Sequence, residues 1–272
     1  MIFLKLGGSA ITDKTREATA RVEVIQRLAR EVARARAQRP ALQLLIGHGS
    51  GSFGHFTARQ SGFGARGNWR AYAETGAAAA RLARLVADTF LAHGVPIVTL
   101  PPSASARCRE GKLIELALAP IHTALAHGLV PLVHGDVAFD ETREMTIVST
   151  EMVFAYLARH LQPTRIILAG IVDGVFTADP LTDASARLIH EITSHTFPHI
   201  AAQLRGAYGV DVTGGMLAKV QIMLQVIERV PHLRVHIISA MHAGILERAL
   251  LNDDFAEGTV IHSGAELNPA PR

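Results

Sequence analysis

Residues 42–55 read LQLLIGHGSGSFGH, an apolar run that ends in four glycines within eight residues. An apolar run without polar alternation is typical of a strand that is buried on both faces, as in a parallel sheet covered by helices. Glycine lets backbone N–H groups approach an anion closely, and the positive end of a following helix adds to that attraction. The stretch therefore predicts a buried strand followed by a turn that binds phosphate or another anion.

Two further stretches repeat the pattern of an apolar run that ends in glycine. Residues 2–6 lead into the Gly-Gly-Ser turn 7–9, and residues 129–134 lead into the Gly-Asp pair 135–136. The carboxyl ends of parallel strands share one edge of a sheet, and open α/β sheets bind their ligands there. We therefore expect the glycine turns to lie together at that edge. A purely structural role for each single turn is the alternative.

Apolar runs alternate with stretches of helical periodicity along the whole chain. The remaining predicted strands are 95–100, 165–169, 235–239 and 258–262, and the predicted helices are 22–38, 69–93, 121–127, 150–159, 210–230 and 243–251. This alternation predicts an α/β fold, an open α/β/α sandwich with a mainly parallel central sheet. No shift in composition marks a linker, so residues 1–272 are expected to form a single domain. The polar or proline-containing stretches 101–110 and 139–144 are expected to be surface loops.

Composition excludes several classes of protein. The 272 residues are 49% hydrophobic and carry a formal net charge of +3, which excludes intrinsic disorder and does not indicate nucleic-acid binding. The single cysteine, Cys108, cannot form an intramolecular disulfide and favours a reducing compartment. No apolar run approaches the ~18 residues of a membrane span, and no basic region precedes the first apolar run. We expect a cytoplasmic protein with no membrane or nucleic-acid partner.

Three lysines adjoin the glycine-rich stretches. Lys5 falls inside the first predicted strand, Lys14 follows in the next loop, and Lys219 lies near a predicted helix start. A lysine in a buried strand is costly unless its ammonium group reaches a site. The lysines therefore indicate an anion site. The alternatives are an edge strand with a snorkelling side chain for Lys5 and a solvated helix position for Lys219.

Five motifs together resemble those of the amino acid kinase superfamily, and most closely its isopentenyl phosphate kinase branch. They are KLGGSAITDK (5–14), GHGSGSFGH (47–55), HGDVAFD (134–140), DGVFTADP (173–180) and DVTGGMLAKV (211–220). They span almost the whole chain in the family's order. His55, which ends GSFGH, is the more specific signal because in this superfamily it marks kinases whose acceptor is itself a phosphate or phosphonate.

The resemblance implies transfer of the ATP γ-phosphate to isopentenyl phosphate, with ATP as co-substrate, Mg²⁺ as cofactor and a homodimer as the assembly. It implies that residues 1–160 bind the acceptor and residues 161–272 bind the nucleotide. Carried over by position, the catalytic candidates are Lys5, Lys14, His55 and Lys219. The ATP-binding candidates are Lys5, Gly7, Gly8, Ser9, Gly51, Asp173, Asp179, Gly215 and Lys219. The acceptor-binding candidates are Ser50, His55 and Gly135. No residue is predicted to ligate a metal, because Mg²⁺ prefers phosphate oxygens and water.

The sequence departs from the family pattern at two places. Ser50 replaces a glycine that is common in this loop, so its hydroxyl is expected to donate where a backbone N–H is displaced. Glu151 stands where relatives usually have aspartate, and it would organise the lysines with a side chain one methylene longer. For the prenyl chain, small side chains on the helix 69–93 offer either a slot or close helix packing. These residues are Tyr72, Ala73, Gly76, Ala77 and Ala80.

Two other functions fit the same motifs. One is a related kinase that phosphorylates fosfomycin or another phosphate or phosphonate acceptor. The other is a non-catalytic nucleotide-binding protein on this fold. The presence of Lys5, Lys14, His55 and Lys219 together argues against lost catalysis.

Overall fold

The computed structural model describes the backbone of residues 1–207 and 213–264, and the side chains of residues 1–202 and 215–264. Its strands in chain order are β1 Ile2–Leu6, β2 Leu44–His48, β3 Ile97–Thr99, β4 Arg107–Arg109, β5 Lys112–Glu115, β6 Val130–His134, β7 Asp136–Asp140, β8 Glu144–Val148, β9 Arg165–Gly170, β10 Val175–Phe176, β11 Leu188–Ile189, β12 Glu191–Thr193, β13 Arg234–Ser239 and β14 Thr259–His262. Its α-helices are α1 Gly8–Ile11, α2 Val22–Gln38, α3 Gly51–Ser61, α4 Trp69–Ala92, α5 Ala119–Ala126, α6 Thr150–Leu161, α7 Phe197–Ala207, α8 Thr213–Arg229 and α9 Ile245–Leu251. None of these helices is long and apolar enough to cross a membrane.

The main sheet has eight strands in the order β12-β14-β13-β9-β1-β2-β6-β3. The six strands from β13 to β3 are mutually parallel, and β14 is antiparallel to β13. The predicted α/β fold with a mainly parallel sheet is confirmed. Because β1 pairs in register with both β2 and β9, the carboxyl ends of these strands meet at one edge of the sheet.

Helices cover both faces of this sheet and define two cores. Leu4 and Leu6 of β1 pack in a core with apolar residues of α2, α4 and α9. Phe3 packs in the other core, with residues of α6 and α8, and its ring lies 5.2 Å from that of Phe154. Because side chains alternate along a strand, Lys5 points to the same side as Phe3. The sheet itself thus directs this lysine toward α6.

A second sheet has four strands in the order β5-β4-β7-β8, and both stretches that were predicted as surface loops contribute to it. The loop prediction for 101–110 was wrong because that stretch holds a short 3-10 helix at Pro102–Ala104 and then β4. In β4 the buried Cys108 alternates with exposed Arg107 and Arg109. The side chain of Arg109 binds that of Glu141 across the sheet.

The stretch 139–144 was also predicted as a loop, and it forms the end of β7 and the tight turn into β8. Asp140 organises this turn, because its Oδ1 accepts hydrogen bonds from the N–H groups of Thr142 and Arg143 at 3.0 and 2.9 Å. The polar residues that suggested a loop are the ones that close a hairpin. This small sheet places β7 and β8 beside the carboxyl edge of the main sheet.

Candidate active site

A cavity of about 480 Å³ opens at the carboxyl ends of β1, β2, β6 and β9. Most of the predicted site residues line it together: Lys5, Gly7, Gly8, Ser9, Lys14, Ser50, Gly51, His55, Gly135, Gly215 and Lys219. Residues that are far apart in the sequence therefore share one space. The cavity also receives Glu151, the residue whose role the sequence leaves open.

Asp173 and Asp179 do not line this cavity. Asp173 Oδ1 lies 2.9 Å from the Nε2 atom of His242. Asp179 Oδ1 accepts a hydrogen bond from the N–H of Leu181 at 3.0 Å, within a local turn. Both carboxylates thus have protein partners, although Gly170 to Val172, which precede Asp173, do line the cavity.

The first two glycine turns pack backbone against backbone, and this contact requires glycine. A Cβ atom on Gly8 would lie 2.7 Å from the N atom of Gly51, and one on Gly49 would lie 3.0 Å from the N atom of Gly8. Gly51 also has a φ of +53° and would place a Cβ atom 2.2 Å from Thr12 Oγ1. Any side chain there would separate the turns. The glycines thus allow the two turns to meet in backbone contact at the cavity.

Thr12 ties the two turns together and was not among the predicted site residues. Its Oγ1 donates to the carbonyl oxygen of Gly8 at 2.6 Å and accepts from the N–H of Ser52 at 2.9 Å. Thr12 lies within the 5–14 motif, but the motif gives no sign that its hydroxyl bridges to the second turn. Only the juxtaposition of α1 and α3 makes this contact possible.

Lys5 and Glu151 form a buried ion pair inside the cavity. Burial opposes ionisation of Glu151, but the charges of Lys5 and Lys219 outweigh it and hold the pKa of this carboxyl below its ordinary value. Glu151 lies in the first turn of α6, where the helix dipole favours a negative charge. The carboxylate is therefore ionised at neutral pH and gives Lys5 a fixed partner.

The remaining cationic groups are held close to one another. Desolvation, and after it the charge of Lys5, lowers the pKa of Lys14 and of Lys219 below the ordinary value. Desolvation and the charges of Lys14 and Lys5 also lower the pKa of His55. A bound anion would offset this repulsion among the cationic groups.

One end of the cavity is apolar and lies against α3, α4 and the small sheet. Its lining includes Ala58, Ala79, Val137 and Val148, together with Thr75, whose buried hydroxyl has no hydrogen-bond partner among the described residues. These residues were not predicted as site residues, because the periodicity of α4 does not by itself reveal which of its faces meets a cavity.

The α4 residues offered as either a prenyl slot or a packing surface lie on another side of the helix from those that line the cavity. These five residues do not line the cavity. Ala73, Ala77 and Ala80 are exposed. Gly76 packs closely, because a Cβ atom there would lie 3.0 Å from Val137 Cγ2, and the Tyr72 ring stacks on that of Phe139 at 4.8 Å.

Comparison with known proteins gives a consistent family. The amino acid kinase family model matches residues 1–239. The chain is 35% identical to the isopentenyl phosphate kinase of Methanothermobacter thermautotrophicus over 93% of this chain and 96% of that protein. It is 28% identical to the isopentenyl phosphate kinase of Methanocaldococcus jannaschii, over 96% of this chain and 98% of that protein. A solved isopentenyl phosphate kinase structure superposes with a TM-score of 0.81 at 33% identity, covering 96% of this chain and 99% of that chain. The chain thus belongs to the amino acid kinase family, in its isopentenyl phosphate kinase branch.

Proposed function

We propose that this protein transfers the γ-phosphate of ATP to isopentenyl phosphate and so forms isopentenyl diphosphate. The observation that carries the proposal is the single cavity in which Lys5, Lys14, Lys219 and His55 face two backbone-packed glycine turns. Its polar end suits two phosphate groups, and its apolar end suits a short hydrocarbon chain. The agreement of relatives over nearly the whole chain supports the same reaction.

The reaction requires positive charge and alignment of the two phosphates rather than a general base. A phosphate monoester is already ionised near neutral pH, so no proton has to be removed from the attacking oxygen. The obstacle is the repulsion between two anions that must approach in line. Phosphoryl transfer is catalysed mainly by alignment and by stabilisation of the charge on the transferring group. Fixed ammonium groups and backbone N–H groups supply both.

Each candidate residue has a place in this scheme. Lys5 and Lys219 would bind the ATP phosphates, with Gly7, Gly8, Ser9, Gly51 and Gly215 supplying backbone contacts. Lys14 would contact the transferring group, and Ser50, His55 and Gly135 would hold the acceptor phosphate. Glu151 would fix the position of Lys5 without touching a phosphate. Asp173 and Asp179 remain proposed for the nucleotide-binding segment, on the loops that follow β9 and β10.

Mg²⁺ fits this site as an ion held by the nucleotide. No cluster of three or more His, Cys, Asp or Glu side chains in the described part of the chain could hold a metal ion. The carboxylates at the cavity, Glu151 and Asp136, already accept from Lys5 and from backbone N–H groups. Phosphate oxygens and water would therefore supply its ligands, and the bound ion would neutralise phosphate charge.

The assignment of acceptor binding and nucleotide binding to different parts of the chain belongs to the same proposal. Residues 1–160 supply Ser50, Gly135 and the apolar wall, which suits acceptor binding. Residues 161–272 supply Gly170, Met216 and Lys219 on the other side, which suits nucleotide binding. The homodimer and the cytoplasmic location implied by the resemblance are proposed with it. The free, buried Cys108 agrees with a reducing compartment, and light scattering would test the dimer.

A coupled assay of ADP release tests the proposed reaction. The panel is isopentenyl phosphate, dimethylallyl phosphate, fosfomycin, uridylate and glutamate, each with Mg²⁺-ATP. The highest kcat/KM is expected with isopentenyl phosphate. A higher kcat/KM with fosfomycin would show that isopentenyl phosphate is not the preferred acceptor. If the protein binds ATP but releases no ADP with any acceptor, it is a non-catalytic nucleotide-binding protein.

A further inference from the structure

Two buried histidines lie side by side beneath the glycine turns. His48 ends β2 and His134 ends β6, and the two are partners in the register of these strands. Their rings lie 5.3 Å apart at 17° to each other, and both residues are at most 1% exposed. Neither histidine is among the residues given a role in the reaction above.

Each ring has one hydrogen bond, and it is with the residue that follows it. The Nε2 atom of His134 also lies 3.9 Å from Oδ2 of the buried Asp136. His48 Nδ1 lies 3.1 Å from the carbonyl oxygen of Gly49, and His134 Nδ1 lies 3.2 Å from that of Gly135. A carbonyl oxygen only accepts, so each Nδ1 must carry the proton. Both Nε2 atoms are buried without a hydrogen-bond partner among the described residues. Each ring therefore donates through Nδ1 to a glycine carbonyl.

Burial and the neighbouring ring oppose a positive charge on His48. Burial, followed by the proximity of His134, lowers the pKa of His48 to about 3. Two adjacent imidazolium rings would repel each other in a space that excludes water. The rings thus add hydrogen bonds to the glycine turns, and His48 does so without adding charge.

A fixed carbonyl also fixes the N–H group across the same peptide plane, because the two point in opposite directions in a trans peptide. The carbonyl of Gly49 shares its peptide with the N–H of Ser50, which has no acceptor within the described residues. The N–H of Gly49 donates to Leu6 at 3.1 Å, so Gly49 is held on both sides. With its carbonyl on His48, the peptide presents the Ser50 N–H away from the ring.

His134 contacts Gly135, at the end of the neighbouring strand, through the same kind of hydrogen bond. The N–H of Gly135 donates to the carbonyl oxygen of His48 at 3.0 Å, while its own carbonyl accepts from His134. A Cβ atom on Gly135 would lie 3.7 Å from the N atom of Ser50. Gly135 and the Ser50 N–H, which are proposed for the acceptor phosphate, therefore lie next to each other in turns whose carbonyl groups the two histidine rings contact.

We propose that His48 and His134 are positioning residues for the acceptor phosphate, and that each works through its Nδ1–H bond to the glycine carbonyl that follows it. The proposal rests on the function proposed above. It differs from simple core packing because it depends on which ring nitrogen donates. An amide at the δ position should replace the ring, whereas one at the ε position should not.

Asparagine and glutamine variants separate these possibilities. The Asn Nδ2 group occupies nearly the place of the imidazole Nδ1, whereas the Gln amide extends toward the place of Nε2. His48→Gln and His134→Gln are each expected to raise KM for isopentenyl phosphate about tenfold, the effect of one lost hydrogen bond. KM for ATP should stay within error, and His48→Asn and His134→Asn should recover most of the loss. Equal effects of Asn and Gln, or equal rises in both KM values, would overturn the proposal.

His236→Gln is the matched control. His236 is 1% exposed, lies in β13 of the same sheet, and has no hydrogen-bond partner for either ring nitrogen among the described residues. Its replacement is expected to lower the melting temperature and to leave the ratio of the two KM values unchanged. If the changes in KM of the His48 and His134 variants are proportional to their loss of melting temperature, in the same ratio as for His236→Gln, the proposal fails.

Nitrogen-15 NMR of histidine-labelled protein tests the geometry without any acceptor. Chemical shifts of ring nitrogens distinguish the two neutral tautomers and the charged ring, and the signals are assigned by their loss in His48→Asn and His134→Asn. An Nδ1–H group is expected for both residues, and an Nε2–H tautomer, which lacks that group, would overturn the proposal. If wild-type protein releases no ADP with isopentenyl phosphate, the proposed function fails. The tautomer measurement uses no acceptor, so its result is independent of that assay.

Discussion

The ammonium group of Lys5 and the carboxylate of Glu151 are joined in an ion pair between β1 and the first turn of α6, with side chains 9% and 6% exposed. Alternation along β1 sends Lys5 to this face, and the start of α6 brings Glu151 to meet it. Removing one partner leaves a buried charge alone, which is far costlier than losing a surface pair.

Glu151→Gln is expected to destabilise the protein by about 3–5 kcal/mol, measured by urea unfolding, and to lower kcat because Lys5 loses its position. Glu151→Asp keeps the charge and should cost less on both measures. The double variant Lys5→Met/Glu151→Leu should regain stability but not activity. Recovery of activity in the double variant would remove this pair from the reaction.

Acidification should reveal the same ion pair. The pKa of Glu151 is held below its ordinary value in the folded protein, so its contribution to stability is present above the unfolded-state pKa. That contribution is lost as the pH falls through the lower, folded-state pKa. The acid limb of a plot of melting temperature against pH should therefore be shallower for Glu151→Gln than for wild type. Superimposable acid limbs would contradict this assignment.

His55 is expected to donate a hydrogen bond to the acceptor phosphate. His55→Ala should lower kcat/KM for isopentenyl phosphate by about 10- to 100-fold, the cost of a hydrogen bond to a charged group. His55→Gln keeps a donor and should lose less. Equal, near-normal turnover of both variants would exclude His55 from the mechanism.

Acceptor binding should also be accompanied by proton uptake at His55. Desolvation and nearby lysine charge lower its pKa in the free protein, so the ring is mostly neutral at neutral pH. A phosphate beside it favours the charged ring and raises the pKa, so protons are taken up on binding between the two values. Calorimetry in buffers of different ionisation enthalpy measures this uptake. The same uptake in His55→Gln would show that another group is responsible.

Thr12 should matter through its hydroxyl rather than its shape. Thr12→Val leaves the Ser52 N–H and one acceptor site on Gly8 without their partner, at a cost of about 1–3 kcal/mol in unfolding free energy. KM for ATP should rise as the two glycine turns separate. Thr12→Ser keeps both hydrogen bonds and is the matched control. If the valine and serine variants have the same unfolding free energy and the same KM for ATP, the hydrogen bonds of Thr12 between the turns do not contribute to function.

The apolar end of the cavity should set the fit of the acceptor chain. Ala79 lines the cavity and is 2% exposed, whereas the adjacent Ala80 is exposed on the same helix. Ala79→Leu should raise KM for isopentenyl phosphate and leave KM for ATP unchanged, because the larger side chain fills the space for the chain. Ala80→Leu should change neither, and a rise in acceptor KM for it alone would place the slot on the other face of α4.

The parts of the molecule that sequence could predict are those with strong local patterns. The apolar strands and their glycine turns are encoded by short stretches such as 42–55. The fold class, and the edge of the sheet at which the cavity lies, could therefore be predicted. The small sheet was missed because strands as short as β4 alternate arginine with one buried cysteine and resemble a loop. The facing side of α4 and the bridge through Thr12 depend on how distant elements pack. A repeating pattern within one helix or one motif cannot specify that packing.

A crystal structure with a non-hydrolysable ATP analogue and isopentenyl phosphate tests the central claim most directly. We predict that the terminal nucleotide phosphate lies between Lys5, Lys14 and Lys219, in line with an acceptor phosphate beside Ser50 and His55. A triphosphate bound away from the turns at 7–9 and 47–55 would contradict the account.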